Sequence, residues 1–80
     1  MVYQTHGVCS NAIDVDVDGG IIKSVHFSGG CDGNLQGISR LVEGMSVSEV
    51  IKHFDGITCG RKKTSCPDQL AKALKALQKT

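Results

Sequence analysis

Four cysteines are the residues of this chain whose chemistry is least generic, and they are Cys9, Cys31, Cys59 and Cys66. A deprotonated thiol binds soft metal ions and attacks disulfides, so four thiols in one short chain can form a metal site or carry redox chemistry. The hydrophobic pattern places each cysteine at the boundary of a helix or strand, where binding sites are often built, and none in an apolar stripe. The cysteines therefore predict a functional site.

Three roles for these thiols are consistent with their spacing. The chain has no Cys-x-x-Cys pair, so it does not carry the signature of a zinc ribbon. Four thiolates nevertheless suit Zn²⁺ or an iron-sulfur cluster, and this metal-binding role is the first hypothesis. A redox-active dithiol is the second, and a structural interaction module with incidental thiols is the third.

A basic segment lies between the last two cysteines, and it consists of Arg61, Lys62 and Lys63. Four thiolates around Zn²⁺ leave a net charge of about −2, so nearby cations would stabilise such a site. Cys31 and Cys66 are both expected at helix N-termini, where the helix dipole favours the thiolate. We therefore interpret the basic segment as charge compensation for sulfur.

Length and charge limit the possible roles of the chain. Its 80 residues predict one small domain, residues 1–80, whose core would benefit from a metal or disulfide staple. A net charge of +1 supplies no overall field that would attract nucleic acid, so we do not expect a nucleic-acid partner.

The cellular compartment decides how the cysteines are interpreted. The N-terminus lacks the basic and apolar regions of a signal peptide, and no apolar run is long enough to span a membrane. We therefore expect a cytoplasmic protein without a membrane partner, in which thiols stay reduced. In an oxidising compartment, two disulfides would be the leading account instead.

The first half of the chain predicts an antiparallel sheet. Residues 2–8 have strand-forming side chains and predict an edge strand. The next segment alternates apolar residues with aspartates, which predicts a second strand whose inward residues are Ile13, Val15 and Val17. The turn 18–20 has the Asp-Gly-Gly chemistry of a tight hairpin, and residues 21–27 return as a third strand with an inward face of Ile21, Val25 and Phe27.

The second half predicts three helices. The first ends near Gly44 and carries the apolar stripe Leu35, Ile38, Leu41, Val42 and Met45. A capping-box pattern over residues 46–49 opens the second helix, which Gly56 ends. Pro67 is the predicted first residue of the third helix, where Asp68 complements the helix dipole. This order predicts an α+β fold in which a three-stranded antiparallel sheet is followed by three helices packed on one face.

Residues 64–68 read Thr-Ser-Cys-Pro-Asp, and this segment resembles the motif that names the TSCPD domain family. Together with the four cysteines, it makes the whole chain similar to the stand-alone four-cysteine branch of that family. Related domains occur at the C-terminal end of vitamin B12-dependent ribonucleotide reductases. The resemblance therefore implies a link to ribonucleotide reduction, with the reductase as a partner protein.

The layout is also similar, more distantly, to that of U-type iron-sulfur scaffold proteins. The resemblance matches the three cluster-ligating cysteines of those scaffolds to Cys9, Cys31 and Cys66. Asn11 stands where the scaffolds have an aspartate, Ser65 replaces their usual histidine, and Cys59 has no counterpart there. A fourth thiol in place of the missing ligand implies a closed site that retains its metal.

Sequence motifs for catalysis by the chain alone are absent. No Ser-His-Asp or Cys-His arrangement and no phosphate-binding loop occurs, and 80 residues are too few for a complete reductase. The sequence therefore favours a metal-binding module over an enzyme. The alternative is an accessory protein that acts with ribonucleotide reductase through redox-active cysteines.

Overall fold

The computed structural model describes residues 2–8, 10–29 and 32–78, and the secondary structure follows the predicted order. Its elements are β1 Val2–Gln4, β2 Ser10–Asp18, β3 Ile21–Gly29, α1 Asp32–Val42, α2 Val47–Phe54 and α3 Cys66–Gln78. The strands form one antiparallel sheet in the order β1-β2-β3. The predicted α+β class, with a three-stranded sheet followed by three helices, is confirmed. None of the helices in these ranges is long and apolar enough to cross a membrane.

The hairpin between β2 and β3 follows from its turn residues. Asp18 pairs with Ile21 across a two-residue turn, and Gly19 and Gly20 adopt φ values of 61° and 79°. Positive φ at both central positions matches the right-handed twist of the strands, and glycine adopts it without a steric penalty. The first strand is shorter than predicted: it spans Val2–Gln4, and the Thr5 amide adds one further bond to the Asn11 carbonyl of β2 at 3.1 Å.

The predicted inward face of β3 is wrong at its first position. Ile22 is buried at 1% exposure, whereas Ile21 is 39% exposed. The register shifts between the pairs Asp16–Ser24 and Val17–Ile22, which leaves Lys23 as an extra residue on β3. Such a β-bulge breaks the alternation of side chains, so Ile22 falls on the same buried face as Val25 and Phe27. The bulge also explains why Lys23 interrupts the predicted pattern.

The core lies between one face of the sheet and the three helices. Its largest fully buried aliphatic side chains are Ile13, Val15, Ile22, Val42, Val50, Leu70 and Leu74. Leu41, which the sequence placed in the same stripe, is 67% exposed. At 3.6 residues per turn, Leu41 lies about 120° around α1 from Leu35, while Val42 lies almost directly below Leu35. The α1 stripe therefore faces the core through Leu35, Ile38 and Val42.

The connection between α1 and α2 is fixed to the start of β3. Gly44 adopts a φ of 86° and donates its amide to the Ile22 carbonyl at 2.8 Å. The Ile22 amide donates in turn to the Met45 carbonyl at 2.9 Å. Ser46 then caps α2 by accepting from the Glu49 amide at 3.2 Å, as the capping-box pattern predicts. These bonds set the position of α1 beside β3.

The different environments of two neighbouring residues give a test of the core. Val42→Ala removes fully buried methyl groups, so we expect it to lower the free energy of unfolding by about 1–3 kcal/mol. Leu41→Ala is the matched control and should cost less than about 0.5 kcal/mol, because its side chain is in solvent. Urea unfolding followed by circular dichroism measures both, and equal losses would contradict this orientation of α1.

Candidate functional site

Cys59 lies at the base of a tight, basic turn. Its carbonyl accepts from the Lys62 amide at 3.0 Å, and its amide donates to the Thr64 carbonyl at 3.2 Å. Gly60 follows with a φ of 58°, a conformation that glycine adopts readily. Cys59 is an exposed free thiol, and the predicted basic segment of Arg61, Lys62 and Lys63 is exposed beside it. The two hydrogen bonds give the loop a defined shape.

Cys66 lies in the first turn of α3, which begins one residue earlier than predicted. Ser65 caps the helix, since its hydroxyl accepts from the Asp68 amide at 3.1 Å and donates to the Ile57 carbonyl at 2.7 Å. The thiol of Cys66 is free and half-buried, and its sulfur lies 3.3 Å from the hydroxyl oxygen of Ser10. Ser10 is itself buried at 2% exposure. The contact between Cys66 and Ser10 therefore connects the start of α3 to the start of β2.

The two described cysteines line one pocket of about 190 Å³ against α1. The other walls are Asn34, Leu35, Ile38, Ser65 and Pro67, and none of them carries a charge. The structure thus brings Cys59 and Cys66 to the same place from a turn and from a helix start. The remaining lining is mainly aliphatic, which suits sulfur chemistry better than the binding of a hard cation such as Mg²⁺.

The other two predicted ligands, Cys9 and Cys31, lie outside the described residues. Their sequence neighbours are described: Ser10 follows Cys9 and contacts Cys66, and α1 begins directly after Cys31. Within the ranges that the structure covers, no group of three or more His, Cys, Asp or Glu side chains is arranged to hold a metal ion. The described part of the site is therefore a pair of thiols.

A buried carboxylate follows the pocket residues Cys66 and Pro67 in the first turn of α3. Asp68 is 1% exposed, and its oxygens accept from the Gly56 amide at 2.7 Å, the Thr64 hydroxyl at 2.5 Å and the Lys72 ammonium at 2.6 Å. Burial alone would raise the pKa of Asp68, but these hydrogen bonds and the charge of Lys72 lower the pKa to about 2. Asp68 is therefore ionised at neutral pH and fully bonded.

Comparison with known families identifies the family to which the chain belongs. The profile of the TSCPD domain matches residues 1–78. The chain belongs to the TSCPD domain family. No curated protein and no solved structure matches it significantly.

The motif that names the TSCPD domain closes the loop onto α3. Thr64 donates to Asp68 and accepts from the side-chain amide of Gln69 at 2.9 Å. Gln69, 4% exposed, also accepts from the His6 amide at 3.2 Å and so connects α3 to the segment after β1. Ser65 caps the helix, which leaves Cys66 as the motif residue that brings a reactive group to the pocket.

The sequence did not predict that Asp68 and Gln69 are buried and form hydrogen bonds to distant parts of the chain. It assigned Asp68 to the helix dipole and gave Gln69 no role. One signal was present, because Ser65 and Asp68 have the spacing of a capping box, in which residues of these types bond across the first helical turn. Gly56, which follows α2, and His6, in the segment after β1, are distant in sequence from their partners and carry no such signal.

The Asp68 network predicts a specific dependence of stability on pH. The folded-state pKa of about 2 is below the ordinary value of 3.8, so the stabilisation is present above about pH 4 and is lost as the pH falls through about 2. We expect Asp68→Asn to lower the free energy of unfolding by about 2–3 kcal/mol at neutral pH, because three donors lose a charged acceptor. The difference from the unmodified protein should shrink between about pH 4 and pH 2.

Asp55→Asn is the matched control for this experiment. Asp55 also accepts from a lysine, Lys75, at 2.7 Å, but its side chain is 41% exposed. An exposed ion pair contributes little, so this variant should cost less than about 1 kcal/mol. Chemical unfolding at several pH values measures both effects. Equal losses for the two variants, or a pH-independent loss for Asp68→Asn, would contradict the role of the buried carboxylate.

Proposed function

We propose that this TSCPD domain is a metal-binding module in which four cysteines hold Zn²⁺ or an iron-sulfur cluster: Cys9, Cys31, Cys59 and Cys66. The observation that carries the proposal is that Cys59 and Cys66 line one pocket against α1. Ser10, the covalent neighbour of Cys9, contacts the sulfur of Cys66. Helix α1, which directly follows Cys31, supplies the facing wall through Asn34. Chain connectivity thus favours one pocket for all four thiols.

The surroundings of the pocket suit thiolate ligands. Cys66 lies in the first turn of α3, and the dipole at the start of a helix attracts a negatively charged group such as a metal site with thiolate ligands. The exposed cations of residues 61–63 offset the net charge of about −2 on a zinc site with four thiolates. A bound Zn²⁺ would add folding free energy to a small core, and a cluster would add electron transfer.

Metal analysis of protein purified without air tests the proposal. We expect close to one Zn²⁺ per chain, or the visible absorption of an iron-sulfur cluster. Each single Cys→Ser variant should lose metal affinity by about tenfold or more, because a thiolate ligand is removed. Cys59→Ser is the most informative, since an exposed side chain in a loop contributes little to the metal-free fold.

Thr58→Ser is the matched control, because Thr58 lies next to Cys59 in the same exposed loop and carries no thiol. It should bind metal like the unmodified protein. Metal-free protein that stays folded, binds no added Zn²⁺ and presents four freely titrating thiols would contradict the proposal. Loss of metal in Thr58→Ser would show that the loop conformation, and not the thiol, determines binding.

A second candidate function is dithiol exchange in support of ribonucleotide reductase. Its specific support is the pairing of an exposed thiol, Cys59, with a half-buried one, Cys66, in one pocket beside a basic loop. Disulfide exchange requires an attacking thiol that a partner disulfide can reach, and the exposed Cys59 meets this requirement. The resemblance to domains of B12-dependent reductases supports the choice of the reductase as the proposed partner.

The double variant Cys59→Ser/Cys66→Ser separates this candidate from metal binding. In a reconstituted reductase assay, we expect it to reduce turnover under conditions where the domain is the sole source of reducing thiols. Cys9→Ser is the control, because it disrupts a four-cysteine metal site but leaves this thiol pair intact. Unchanged turnover in the double variant would contradict dithiol exchange, and equal losses in both variants would favour the metal site.

A further inference from the structure

A second pocket lies on the other flank of α1, between that helix and β3. Its volume is about 330 Å³. The floor is apolar and includes Val25 and Phe27 of β3 and Leu35 of α1. Ser39, Arg40 and Glu43 form the wall on the helix side. This β3–α1 groove shares Leu35 with the thiol pocket, but it contains neither thiol and no residue of the Asp68 network.

The outer edge of β3 presents unpaired backbone groups to the groove. At the start of the strand, Ile22 directs its amide and carbonyl away from β2, to Met45 and Gly44. In a strand, residues whose side chains lie on the same face also direct their amides and carbonyls to the same edge. Val25 and Phe27 are buried on the same face as Ile22, so their backbone groups also point away from β2. In the described ranges, no strand pairs with β3 on that side beyond the bridge from Ile21 to Ser46. An open edge of this kind is a template for another strand.

The groove also carries an available cation. Arg40 is exposed, and no described residue forms a hydrogen bond or an ion pair with its guanidinium group. Glu43, the residue that directly follows α1, does not pair with it. A planar guanidinium binds a carboxylate through two parallel hydrogen bonds. The groove therefore offers main-chain pairing on one wall and recognition of one acidic side chain on the other.

We propose that the β3–α1 groove is a docking site for an extended peptide segment of another protein. The segment pairs with the amides and carbonyls of Val25 and Phe27 as a fourth strand of the sheet. A glutamate or aspartate side chain of the segment binds Arg40, and Glu43 disfavours a second acidic residue towards the end of α1. Main-chain bonds supply affinity in this mode of recognition, and the side-chain contact supplies specificity.

A model peptide tests the proposal by nuclear magnetic resonance. The probe is a capped peptide of alternating valine and threonine with one central glutamate, added to ¹⁵N-labelled protein up to about 2 mM. We expect shifts of the Val25 and Phe27 amide signals and slower exchange of both amide hydrogens. A peptide with glutamine in place of glutamate, and separately the Arg40→Gln protein, should each bind about tenfold more weakly.

Two controls separate strand addition from simple attraction of an anion. A probe that keeps the glutamate but is N-methylated at alternate residues cannot donate to β3, so it should not bind. Arg61→Gln removes an exposed arginine outside the groove and should leave binding unchanged. Equal binding of the methylated probe would overturn the proposal in favour of an anion site. Concentration-dependent protection of the two amides without peptide would overturn it in favour of a second copy of this chain, and unshifted signals would overturn it outright.

Discussion

One buried carboxylate holds the second half of the molecule together. Asp68 accepts from Gly56 just after α2, from Thr64 at the end of the following loop, and from Lys72 of α3 itself. A buried charge without these donors would destabilise the fold, so the loop and the two helices must keep their relative positions. That loop carries Cys59. The geometry between Cys59 and Cys66 is therefore set by a network that contains neither sulfur.

The thiol pair combines two different environments. Cys66 is half-buried at the capped start of a helix, where Ser10 limits its freedom, whereas Cys59 is exposed on a hydrogen-bonded turn. Both positions have a defined backbone, and a site built on such positions holds its ligands or reacting groups more accurately than one built on a mobile loop. The exposed member gives solvent and partner molecules access to the pocket.

Helix α1 is the wall that the two proposed sites share. Leu35 lines both pockets, while Asn34 and Ile38 face the thiols and Arg40 faces the opposite groove. The helix is held at its end by the bonds between Gly44 and Ile22, and along its length by core packing of Leu35 and Val42. The proposed metal site and the proposed peptide site would thus lie on opposite flanks of α1. The first would use thiols, and the second would use Arg40 and the backbone of β3.

Local sequence was sufficient for those features that depend on neighbouring residues. The Gly19–Gly20 turn, the Ser46 cap of α2 and the location of Cys66 at a helix start are determined by backbone conformational preferences and short-range hydrogen bonds. The four-cysteine pattern and the motif at residues 64–68 likewise pointed to the family. The class and order of the fold followed from the hydrophobic periodicity.

Only the tertiary structure decided the features that depend on partners distant in sequence. The bulge at Lys23 places Ile22 in the core and leaves Ile21 exposed. The orientation of α1 likewise buries Val42 and leaves Leu41 in solvent. Both outcomes depend on how a whole element packs against the core. One of the three donors to Asp68 is Gly56, which follows α2 and lies 12 residues away in sequence, and no local pattern encodes that contact. The sequence identifies the thiols, but only the tertiary structure places Asn34, Leu35 and Ile38 of α1 opposite Cys59 and Cys66 and so forms the pocket that they line, because these segments are far apart along the chain.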